Sequence, residues 1–241
     1  MPESSVVRKN EASLHSDHMQ GWYKFFFNRL VADGGDKHLE SHSHVSLINF
    51  NYDRSLDYWL LMAVKRRFNV TIDEARRKLA GLRIIRVHGS LGGSPLSDAS
   101  ARPYHQANTR EEIERCANSI FLTGDDGRNS GLFGVARDCL MFASDVVFLG
   151  FGYHSSNLDR LQLRQVCFDR QSKPEFAMTA LQWGLPESAR ILGTAQGLSE
   201  GQIRDLFRPL SGLIDPDLFK KHANLSALAW LKENPELLRR N

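Results

Sequence analysis

The chain has 241 residues, enough for one large domain or one domain with an appendage. Hydrophobic residues make up 41% and charged residues 24%, which excludes wholesale disorder, and no run of about 18 apolar residues exists to cross a membrane as a helix. The net charge of +3, without a long Lys/Arg run, suits an anionic ligand but does not call for nucleic acid.

The three cysteines, Cys116, Cys139 and Cys167, are far apart, odd in number and never in a C-x-x-C pair. That spacing speaks against a disulfide framework and against a Cys-rich zinc site, so no zinc is expected. Cys139, inside the apolar run LFGVARDCLMFA, reads as a small buried hydrophobe. The first residues, MPESSVVRKNEASLHSDH, hold no apolar signal core, so the expected compartment is the reducing cytoplasm.

Residues 1–18 are polar and without periodicity and read as a mobile tail. Residues 19–33 put Trp22, Phe25, Phe26 and Leu30, with Phe27 at the margin, on one helical face that Gly34-Gly35 terminates. KHLESHSH is a loop; its His38, His42 and His44 could supply two metal ligands, but a solvated His-rich loop is the commoner arrangement, and no metal site is expected. VSLINF, residues 45–50, reads as a buried strand, followed by Asn51–Asp53 and a helix from about Arg54 to Phe68. A charged helix, DEARRKLAG, ends at Gly81, and RIIRV (83–87) is the next strand, stopping at His88-Gly89. Residues 89–108, rich in Gly, Ser and Pro, form a loop long enough to act as a lid. TREEIERCAN is a short helix with Thr109 as N-cap and Glu112 in the capping-box position. GLFGVARDCLMFAS (131–144) is a helix capped by Asn129 or Ser130, and DVVFLG (145–150) is continuously apolar, as a parallel strand covered on both faces should be. A helix starts near Ser155, EFAMTAL (175–181) is a further strand, and helices near 199–207 and 216–232 complete the chain.

Strand–helix alternation with β-branched strands predicts an α/β fold built on a doubly wound parallel sheet, with a helical C-terminal extension. The expected division is a tail at 1–18, an α/β nucleotide-binding domain at 19–198 and a helical segment at 199–241. In such sheets ligands bind beyond the carboxyl ends of the strands. Three groups stand there: Asn49-Phe50-Asn51-Tyr52-Asp53, His88-Gly89-Ser90 and Gly150-Phe151-Gly152-Tyr153-His154. Each also has a plain structural reading. Asn51 or Asp53 could cap the next helix, Gly89 could make a turn at positive φ, and Gly150–Gly152 could be a tight strand-to-loop turn. Their joint position at the expected ligand edge is what favours a functional role.

The segments LINFNYDRSLDYWL, RIIRVHGSL and DVVFLGFGYHSSNLDRL together resemble the sirtuin-like, Rossmann-like domains of bacterial NAD-degrading proteins, many of which serve anti-phage defence. The likeness covers about residues 45–165. It implies a hydrolase that cleaves NAD, as substrate, to ADP-ribose and nicotinamide. By the same resemblance Asn51 contacts the nicotinamide ribose and positions the attacking water, and His88 is the general base. Asp53 supports the strand–helix turn, Gly150 and Gly152 admit the adenosine half, and Asn49, Gly89, Tyr153 and Asn157 join the nucleotide-contacting set. The chemistry is sound on its own terms: an oxocarbenium-like centre needs an oriented water and a base rather than a strong nucleophile. Imidazole can accept a proton near neutral pH, and a carboxamide offers a fixed donor and acceptor.

Two family elements are absent. No strand followed by a Gly-rich diphosphate-binding loop precedes Val45, where the only glycines are Gly21, Gly34 and Gly35. The first strand–loop–helix unit is therefore expected to be missing, through a shortened product, a fragment, a late-assigned start or a partner chain or second copy that supplies it. The zinc-binding C-x-x-C pairs of protein-deacylating sirtuins are also absent, which favours NAD hydrolysis over deacylation. The competing expectation is a catalytically degenerate nucleotide-binding or interaction module. A serine hydrolase is a weaker alternative, because Ser90 leads into GGSPLSDASARP rather than into the helix that a nucleophile elbow requires.

Overall fold

The computed structural model describes residues 17–32, 39, 45–97, 101, 104, 109–121, 126–173, 182, 190–195, 198–207 and 225–234. They divide into two compact units, the first ending at Asn129 and the second beginning at Ser130. Each unit holds one pair of parallel strands with helices, so the fold is α/β in character.

The first unit opens with α1 (Asp17–Leu30), which begins inside the stretch expected to be tail. Its buried face is Tyr23, Phe26, Phe27 and Leu30, with Trp22 and Phe25 half-buried. The expected face is thereby rotated: WYKFFF carries aromatic groups around most of the helix, and packing rather than periodicity selects among them. β1 (Ser46–Asn49) leads to α2 (Ser55–Phe68), then α3 (Ile72–Leu79) and β2 (Arg83–Arg86). β1 and β2 pair in parallel, with Asn49 opposite Arg86. Leu60 and Val64 of α2 are fully buried against α1 and against Ala75 and Leu79 of α3. Truncating Leu60 to Ala would remove about 2–5 kcal/mol.

α2 ends at Asn69, whose φ of 51° places it in the left-handed region that asparagine tolerates at a helix terminus. α3 starts on a full capping box between Thr71 and Glu74. α4 (Arg110–Asn118) starts on the expected one between Thr109 and Glu112.

α5 (Asp126–Met141), most of which belongs to the second unit, begins earlier than expected, so Asn129 and Ser130 lie within the helix and do not cap it. β3 (Asp145–Phe148), α6 (Ser155–Leu161), α7 (Leu163–Ser172), β4 (Arg190–Gly193), α8 (Glu200–Phe207) and α9 (Ala227–Glu233) follow. β3 and β4 pair in parallel, with Phe148 opposite Gly193. The core is built from Phe133, Val146, Phe148, Leu161, Ile191 and Trp230. Arg170 of α7 is only 4% exposed and donates to the carbonyls of Met141 and Ala143 (2.9 Å), satisfying acceptors that the end of α5 leaves open.

β4 has no counterpart in the sequence reading. The strand expected at 175–181 lies outside the described residues, as do Gly34-Gly35 and His38, His42 and His44. No helix among the described residues is long and apolar enough to cross a membrane.

Candidate functional site

Asn49, Asn51, Asp53, His88 and Gly89 belong to the first unit; Gly150, Gly152, Tyr153 and Asn157 belong to the second. The parallel pairing of Asn49 with Arg86 sets the geometry of the first group. Asn51 lies two residues beyond Asn49, and His88 lies two beyond Arg86. Each therefore follows the last paired residue of its strand by two positions, past the carboxyl ends of β1 and β2.

The turn after β1 is fixed locally. Asn49 Oδ1 accepts the Asn51 backbone N–H at 2.8 Å, and Asp53 Oδ1 accepts the Ser55 N–H at 2.9 Å and also its hydroxyl. Asp53 thus satisfies an open N–H of α2 from just outside the helix, as capping chemistry requires. Tyr23 of α1 extends the chain through a 3.1 Å hydrogen bond to the Ser55 hydroxyl. Burial raises the Tyr23 phenol above the ordinary tyrosine range, and the Ser55 bond opposes this. Asn51 itself is exposed.

His88 is 6% exposed, its ring packed between those of Phe50 (5.8 Å between centroids) and Tyr52 (5.9 Å). Its backbone is held on both sides. Val87 N–H donates to the Asn49 carbonyl at 3.2 Å, Phe121 N–H to the His88 carbonyl at 2.9 Å, and Ser90 N–H to the Ser119 carbonyl at 3.2 Å. Gly89, at φ 76°, accepts this crossing: a Cβ there would lie 1.9 Å from the Ser119 carbonyl oxygen. Its missing side chain makes room for protein backbone.

The loop expected as a lid is tied down over its described part. Leu91 N–H donates to the Tyr52 carbonyl at 2.9 Å, Arg54 Nη1 to the Gly93 carbonyl at 3.0 Å, and Arg76 Nε to the Pro95 carbonyl at 2.8 Å. The Ser94 hydroxyl donates to Asp57 Oδ1 at 2.6 Å, and Asp57 Oδ2 pairs with Arg86. Asp57 is fully buried. Burial pulls Arg86 below the ordinary arginine range, while the nearby Asp53 carboxylate opposes that shift. Residues 90–97 are therefore a strap. The Ser90 hydroxyl donates to the Gly92 carbonyl, and a strap rather than a helix follows it, so the nucleophile-elbow alternative lacks its defining geometry.

In the second unit, Thr194, just after β4, organises the glycine turn. Its hydroxyl accepts the Gly150 N–H at 2.9 Å, its N–H donates to the Phe148 carbonyl at 2.8 Å, and its carbonyl accepts the Tyr153 hydroxyl at 2.8 Å. Tyr153, expected among the nucleotide contacts, is 5% exposed and packs against Phe148 and Phe151; burial alone drives its phenol far above the ordinary range. Asn157 sits half-buried in the first turn of α6, its N–H on the His154 carbonyl at 3.0 Å. Gly150 has φ 60° and open space around its Cβ position; Gly152 is exposed, with nothing within 4 Å of that position.

Sequence reasoning missed Asp57, Arg86 and Thr194. Thr194 carried a usable signal, since RILGT repeats the apolar-run-then-glycine pattern of DVVFLG. Among the described residues no cluster of three or more His, Cys, Asp or Glu side chains could hold a metal ion. No family model, no curated protein sequence and no solved structure matches the chain.

Proposed function

We propose that the chain is a sirtuin-like, Rossmann-like NAD glycohydrolase whose reaction is carried out by Asn51 and His88. The reading rests on the resemblance of its strand-end motifs. The observation that supports it most is the register of β1 and β2, in which Asn49 pairs with Arg86, the residues two positions before Asn51 and His88. The carboxyl ends of such strands are the edge at which α/β folds bind ligands.

In the proposed reaction the bond between ribose C1′ and the nicotinamide nitrogen breaks. Its electron pair returns to the pyridinium ring, which leaves as neutral nicotinamide. A water oxygen bonds to C1′ and gives up a proton to His88. Asn51 orients that water and the ribose hydroxyls through its amide, and the aromatic walls of Phe50 and Tyr52 fix the imidazole. The proposal draws on the first unit alone. A role in anti-phage defence belongs to the resemblance and is proposed only on that basis.

The purified chain, given NAD, should release nicotinamide, and Asn51→Ala and His88→Ala should each lower the rate by about 100-fold or more, the scale of a general base. Full activity in both variants would refute the assignment.

A second reading is a nucleotide-binding module without turnover. The deep burial of His88 favours it, because a base must reach its proton. It predicts that NAD or ADP-ribose raises the melting temperature while no nicotinamide appears.

A further inference from the structure

The geometry points to Asp57 as a positioning residue for the proposed reaction, an inference that rests on that reading. Asp57 lies in the first turn of α2, the helix that follows Asn51 and Asp53, and none of its surface is exposed. Its two carboxylate oxygens reach in different directions. Oδ2 pairs with Arg86 on β2, two residues before His88, and Oδ1 accepts the Ser94 hydroxyl at 2.6 Å, six residues after it. One buried carboxylate therefore joins the helix carrying the Asn51 turn to both flanks of the His88 turn. Arg54, from the same helix start, adds a second tie to the strap at Gly93.

A buried ion pair is a poor source of stability beside apolar groups of the same volume. What it supplies is direction. Each partner must sit where the other's hydrogen bonds point, and the low polarity of the interior makes any departure costly. Asp57 thereby sets the distance between the Asn51 amide and the His88 ring, while neither Asp57 nor Arg86 needs to touch the substrate.

Removing Asp57 would leave Arg86 buried without its carboxylate and could unfold the first unit, so the test uses Ser94→Ala in the full chain, with Ser94→Thr as the conservative variant. Hydrogen exchange over residues 88–96 and nicotinamide release from NAD are measured together. Ser94→Ala should speed exchange at the Leu91 amide about tenfold or more, since it removes the charge-assisted bond to Asp57 and the 3.3 Å bond that the Ser94 hydroxyl accepts from the Leu96 N–H. It should lower kcat about tenfold with KM changed less than about twofold, and Ser94→Thr should restore both. An active wild-type chain in which Ser94→Ala changes neither exchange nor kcat overturns the positioning role alone. A wild-type chain that releases no nicotinamide overturns the proposed reaction and this role with it.

Discussion

The glycines at the strand ends give a graded test of the local geometry. At Gly89 an added Cβ would sit 1.9 Å from the Ser119 carbonyl oxygen and 3.0 Å from its carbon, at a φ of 76°. The left-handed conformation costs a non-glycine residue about 1–2 kcal/mol. Relieving the clash requires the 119–121 segment to move by more than 1 Å or so, which breaks the Ser90–Ser119 and Phe121–His88 backbone bonds. Each is worth about 1 kcal/mol, so Gly89→Ala should cost about 3–4 kcal/mol in all. Gly150, at φ 60° with open space, should cost the conformational term alone, about 1–2 kcal/mol. Gly152 has neither constraint, and Gly152→Ala should stay within about 0.5 kcal/mol of wild type. Calorimetry resolves the series, with Gly89→Ala lowering the melting temperature by on the order of 10 °C. Equal losses at Gly89 and Gly152 would refute the reasoning.

Tyr153 should make stability fall at alkaline pH. Its folded phenol keeps its proton above the ordinary range while the unfolded one loses it near pH ~10, so the unfolded state binds fewer protons and stability declines as pH rises past that value. Denaturant unfolding between pH 8 and 11, roughly, should show a shallower decline for Tyr153→Phe than for wild type. Arg170→Leu should cost about 3 kcal/mol by urea unfolding, because carbonyls at the end of α5 lose a charged donor, and Arg170→Lys should recover only part of it. Thr71→Ala and Thr109→Ala should each cost about 1 kcal/mol in the same assay through loss of their capping boxes.

The parts of this structure that local chemistry determines were legible in the sequence. The T-x-x-E spacing of Thr109 and Glu112 marked the start of α4, and the apolar runs before Asn51, His88 and Gly150 marked β1, β2 and β3. The same T-x-x-E pattern at Thr71–Glu74 went unread, although the helix behind it was expected. What escaped depends on partners distant in the chain. Asp57 and Arg86 meet across 29 positions, and Arg170 reaches Met141 across the same separation, so no local periodicity marks them. The lid expected from the composition of residues 89–108 is a strap over its described part for the same reason: Arg54 just before α2, Asp57 on α2 and Arg76 on α3, all distant in the chain, hold it. β4 escaped because a four-residue strand beginning with arginine carries too little pattern. A single doubly wound sheet was the natural expectation from strand–helix alternation. Among the described residues the strands form two separate parallel pairs, one in each unit.

A side-chain NMR titration puts the shared role of Asn51 and His88 most directly at stake. With ADP-ribose added stepwise, the Asn51 amide and the His88 ring resonances should shift together along one saturation curve, since both would touch a single sugar. Movement of one without the other, or of neither at saturating ligand, would contradict the account.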